Sequence, residues 1–166
     1  LWTARKSLSK AVKQIAPLKI NEDVVIPLER MGEYTEGIER INIELSLRNK
    51  LALCDALDAF MRQPVLPLAK TDDTAEFTAA ELLDDRVAEA LNAVATVRQQ
   101  WQMWLDELDT HFPQLQDHSL RASWKIQLQA PLKAIFIGDA FAPIVKEINA
   151  IHQRVLKGRV WVALHM

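Results

Sequence analysis

The chain has 166 residues, 49% apolar and 25% charged, with a net charge of −2. That balance suits a globular unit with a sizeable core, and it excludes any general electrostatic attraction to nucleic acid. A single Cys, Cys54, excludes an internal disulfide framework, and the chain lacks the run of about 18 apolar residues that a membrane span needs.

A lone thiol suits a reducing compartment, so a cytoplasmic location is expected, at most peripheral to a membrane. The low count of four Gly favours helix, because turns and phosphate loops consume Gly.

Residues 1–16 read as a basic helix with Lys6, Lys10 and Lys13 on neighbouring turns, ended by Pro17. Residues 23–28 read as a short strand in which Pro27 withholds a donor, which places it near the strand end or at an edge. From Met31 the period changes. Met31, Tyr34, Ile38, Ile41 and Leu45 step in threes and fours, the stripe of an amphipathic helix that runs to Met61. Residues 63–77 are rich in Pro, Thr and Asp and read as a linker.

Thr78-Ala-Ala-Glu81 matches a capping box, and a long helix is expected after it. Its stripe is Leu83, Val87, Leu91, Val94, Trp101, Trp104 and Leu108, and His111-Phe-Pro113 is expected to end it. Two further helical stretches follow, 115–129 and 132–157, separated by Pro131, with Pro143 kinking or splitting the second. Gly158 stops the last helix. Residues 159–166 alternate Val160, Val162 and Leu164 with Trp161, Ala163 and His165, the period of a strand.

The expected fold is therefore mainly α: an antiparallel helical bundle with two short strands, 23–28 and 159–166. Two strands cannot form a stable sheet alone, so they are expected to lie side by side in a sheet completed by other chain. The start at Leu1 and the stop on an apolar strand both read as cuts in a larger protein.

Three segments together resemble the C-terminal part of FAD-linked 2-hydroxyacid dehydrogenases. Leu1-Trp-Thr-Ala-Arg5-Lys6 is similar to that family's Leu-Trp-x-x-Arg helix. Lys19-Ile-Asn-Glu-Asp-Val-Val-Ile-Pro-Leu-Glu-Arg30 is similar to its Lys-x-Asp-x-x-x-Pro strand and the helix beginning near Arg-x-x-x-[Tyr/Leu]. Arg159–Met166 resembles the strand that leads into its His-x-Gly-Asp-Gly-Asn loop. The nearest likeness is to large bacterial members with a helical insertion and an iron–sulphur half.

The resemblance implies three parts: residues 1–50 in the substrate (cap) domain, residues 51–157 as a helical insertion, and 158–166 as a strand returning to the cap-domain sheet. It implies an FAD-dependent oxidoreductase acting on a small D-2-hydroxyacid. The FAD, a divalent metal and an iron–sulphur cluster would be held by the rest of the parent chain, and the isolated chain would be inactive. No catalytic residue or metal ligand is expected here.

Three residues are implied at the substrate. Arg5 has a guanidinium fork that matches a carboxylate and stays charged at any working pH. Ser9, one turn on, shares its helix face and adds a hydroxyl. Lys19 supplies an ammonium, with Asn21 the alternative occupant of its place. The plainer reading of each is a solvated side chain. Asp23 is read as structural.

Elsewhere the plainer reading leads. His111 and His118 straddle Pro113 and are read as helix-end histidines rather than metal ligands. Trp101, Trp104 and Trp124 are read as core, and Cys54 as a small buried hydrophobe. No dinucleotide or Walker phosphate loop occurs. The competing function is a non-enzymatic helical module that binds other proteins.

Overall fold

The computed structural model describes residues 19–22, 25–70, 73–157 and 161–164, and these are mainly helical. Helix α1 spans Met31–Met61, α2 Asp73–Asp106, α3 Leu108–Gln116, α4 Ala130–Ile135 and α5 Ala142–Lys157. Strand β1 is Lys19–Glu22 and strand β2 is Trp161–Leu164.

Side-chain bonds between the helices set their directions. Arg98 on α2 donates to Asp55 on α1 at 2.6 Å, and Arg40, further back on α1, pairs with Asp109 on α3. Gln127, just before α4, reaches Gln100 at 2.7 Å, whereas Arg86 donates to the Ile135 carbonyl at 3.1 Å. Gln129 meets Asn149, and Trp124 stacks on His152. In each of these contacts later residues on one segment meet earlier residues on the other, so the chain from α2 into the start of α3 runs antiparallel to α1, and the stretch 124–135 runs antiparallel to α2 and to α5. Short connections between long helices favour this arrangement.

The core runs through the bundle from Leu47 to Ile151. In α1, Leu47, Leu51, Cys54, Leu57 and Met61 are buried together with Leu53 and Phe60. Two adjacent stripes make a broad apolar face, and α1 accordingly packs against α2, α3, α5 and β2. The expected stripe of Met31, Tyr34, Ile38, Ile41 and Leu45 is only half-buried, and Ile41 is 45% exposed. Among the described residues, this end of the helix has fewer neighbours to cover it. The expected stripe on α2 does face inward: Val94, Trp101 and Trp104 are buried, as is Leu108 at the start of α3, and Leu83, Val87 and Leu91 pack against them. Ala90, fully buried, completes it.

Several boundaries differ from expectation. The strand expected over 23–28 is not formed: residues 25–27 have no regular structure, and Leu28–Arg30 make one 3₁₀ turn. Pro27 explains this, because it withholds the ladder donor and its φ of −56° and ψ of 138° deliver the chain into the turn, closed by Arg30 N–H to the Pro27 carbonyl at 2.9 Å. The strand lies earlier, at β1, and pairs in parallel with β2, Lys19 opposite Trp161 and Glu22 opposite Leu164. The strand expected over 159–166 is four residues long among the described positions.

Helix α2 starts at Asp73, so Thr78 is already inside it and is not its cap. The expected break at His111–Pro113 falls instead at Glu107, whose φ of −107° and ψ of 39° leave the helical region. Helix α3 continues through Pro113, because burial of Leu108, Phe112 and Leu115 offsets one missing bond.

A helix over 115–129 is absent. Ser119 N–H bonds the Asp117 carboxylate at 2.8 Å, and His118 adopts φ 65°, a turn that a helix cannot contain. Helical structure resumes at Trp124 and runs without a break past Pro131. Residues Lys125–Gln129 form a π turn, with Ala130 N–H bonding the Lys125 carbonyl. The wider turn gives room where the Pro131 ring would press on the preceding carbonyls. The break expected at Pro143 comes earlier. Gly138 adopts φ 113°, and Pro143 sits in the first turn of α5, where a missing N–H costs little.

Candidate functional site

Of the three residues singled out for substrate, Lys19 alone lies within the described residues. Arg5 and Ser9 lie outside the described residues. Lys19 opens β1, opposite Trp161 in register, and Asn21 stands opposite Ala163. Asp23, the expected 1–16 helix, Gly158 and His165 also lie outside the described residues.

At the start of α1 lies an open groove of about 390 Å³ lined by Val25, Ile26, Pro27, Arg30, Glu33 and Tyr34. Pro27 and the 3₁₀ turn form its floor and swing Arg30 and Tyr34, four residues apart, to one side of the start of α1. Val25 and Leu28 are fully or largely exposed beside it. Arg30 was not singled out as a binding residue from sequence, although its spacing to Tyr34 was part of the matched pattern.

The Arg30 guanidinium donates through Nε and Nη2 to Glu33 Oε2, both at 3.2 Å. Both side chains are about 70% exposed, so water screens the pair and it is worth roughly 0–1 kcal/mol. The groove therefore offers an apolar wall beside a charge already half-compensated. It can receive a small amphipathic group, and it lacks the enclosure that strengthens electrostatic catalysis.

Cys54 is fully buried in α1, and desolvation, aided by the neighbouring Asp55 charge, pushes its thiol up to about 12. It stays protonated at neutral pH and cannot act as a nucleophile there. His111 lies inside α3 rather than at its end. Its Nε2 is 3.5 Å from Glu107 Oε2, and neither ring nitrogen makes a hydrogen bond. His118 is exposed in the turn after α3. Among the described residues no group of three or more His, Cys, Asp or Glu is placed to hold a metal ion.

Trp101, Trp104 and Trp124 are core. The Trp101 indole N–H donates to Gln127 Oε1 at 3.1 Å, and Trp124 lies parallel to His152 with ring centres 4.4 Å apart. Gly32, Gly37 and Gly138 have nothing within 4 Å of where a Cβ would stand, so a methyl at any of them meets no neighbouring atom. No helix among them is long and apolar enough to cross a membrane. Comparison with protein families, with characterised proteins and with solved structures finds no match for this chain.

Proposed function

We propose that this chain belongs to the substrate (cap) domain of an FAD-dependent oxidoreductase that oxidises a small D-2-hydroxyacid, with residues 51–157 as a helical insertion. FAD, a divalent metal and an iron–sulphur cluster would be held by other parts of the parent protein. Within this chain, Arg5 and Ser9 bind the substrate carboxylate and Lys19 adds positive charge. Holding the carboxylate fixes the rest of the substrate in place, a positioning contribution.

The observation that carries the reading is the pairing of β1 with β2. Parallel strands cannot be joined by a hairpin; they need a crossover, usually helical. Here the connection from Glu22 to Trp161 is the whole bundle, which leaves a strand and returns to its neighbour. That is the topology of an insertion between adjacent strands of another sheet. It agrees with the resemblance at the two ends. Helix α1 runs unbroken through residues 50 and 51, so the insertion would be carried on a helix shared by both parts.

The test uses the complete protein that contains this chain. Purified from its full gene, it is expected to show flavin absorbance that bleaches on addition of a D-2-hydroxyacid. Absence of flavin from the folded protein overturns the proposal. A desolvated carboxylate contact is worth about 2–4 kcal/mol, so Arg5→Ala is expected to lower kcat/KM roughly 30- to 1000-fold with little change in Tm. Unchanged kcat/KM on every 2-hydroxyacid would make Arg5 an ordinary surface residue.

A second reading is a non-enzymatic module that binds other proteins. It is favoured by Ile126 and Ile137, which stand 73% and 69% exposed on the bundle surface. A folded, flavin-free complete protein would turn the argument to this reading.

A further inference from the structure

We draw no further inference here: the strongest candidate, the surface patch around α4 where Ile126 and Ile137 are exposed beside Lys125 and Lys133, is an unpartnered apolar face, and nothing in the structure shows what covers it.

Discussion

Gln127 holds together three parts of the bundle. Its Oε1 accepts from the Trp101 indole and from Ser123 N–H, and its Nε2 donates to Gln100. Gln127→Leu leaves a buried indole donor without a partner, an omission that costs about 1–3 kcal/mol. Gln127→Glu retains the acceptor and should recover most of that loss; urea unfolding of both variants measures the difference. Cys54 makes a pH prediction. Its thiol is raised from the ordinary 9.0 to about 12 in the folded chain, so the folded state keeps a proton that the unfolded state releases. The stabilisation is complete below pH 9.0 and is lost as pH rises toward 12. Cys54→Ala should unfold with a shallower fall in stability across that window. A thiol reagent at pH 8 should label wild type no faster than global unfolding permits, whereas rapid labelling of the native chain would contradict its burial.

At the scale of elements, helix existence was legible from apolar period and boundaries were not. The stripes of α1 and α2 could be read because large side chains at threes and fours mark a face. The breaks could not, because proline was read as the punctuation. In the fold, Pro113 and Pro131 lie within helical stretches and Pro143 opens one. The actual breaks are at Glu107, at the Asp117–Ser119 turn and at Gly138, set by backbone angles and one local hydrogen bond. This gives a contrasted pair of mutants. Gly138→Ala has free space for its methyl, but φ 113° is strained for any L side chain, and the cost should be about 1–3 kcal/mol. Pro143→Ala should change stability by less than about 1 kcal/mol, because the first turn of a helix needs no N–H from that residue. Equal effects in a denaturant titration would mean that Pro143, as the sequence suggested, makes the break.

Over the whole molecule, what the sequence made legible was a mainly helical chain; the substrate residues rested on resemblance alone. Arg5 and Ser9 lie outside the described chain, and the Arg30 groove is visible only once the 3₁₀ turn brings Arg30 and Tyr34 together. The distribution of burial makes a stronger statement. Among the described residues, every buried apolar residue lies between Leu47 and Ile151, and the five α-helices lie between Met31 and Lys157. The strands add pairing, but the helical core closes on itself through α1. A truncated chain of residues 25–157 should therefore fold alone. Its three tryptophans, Trp101, Trp104 and Trp124, are all buried, so near-ultraviolet circular dichroism reports their packing without interference from Trp2 or Trp161. The expected result is a retained helical spectrum, a fixed near-ultraviolet signal and one cooperative melt. The Tm should lie within about 5 °C of the full chain, which corresponds to roughly 1 kcal/mol. A helical spectrum with no near-ultraviolet signal and a broad melt would mean a molten bundle. The terminal segments would then be required for specific packing, and residues 51–157 could not be an insertion that folds independently of the sheet it leaves.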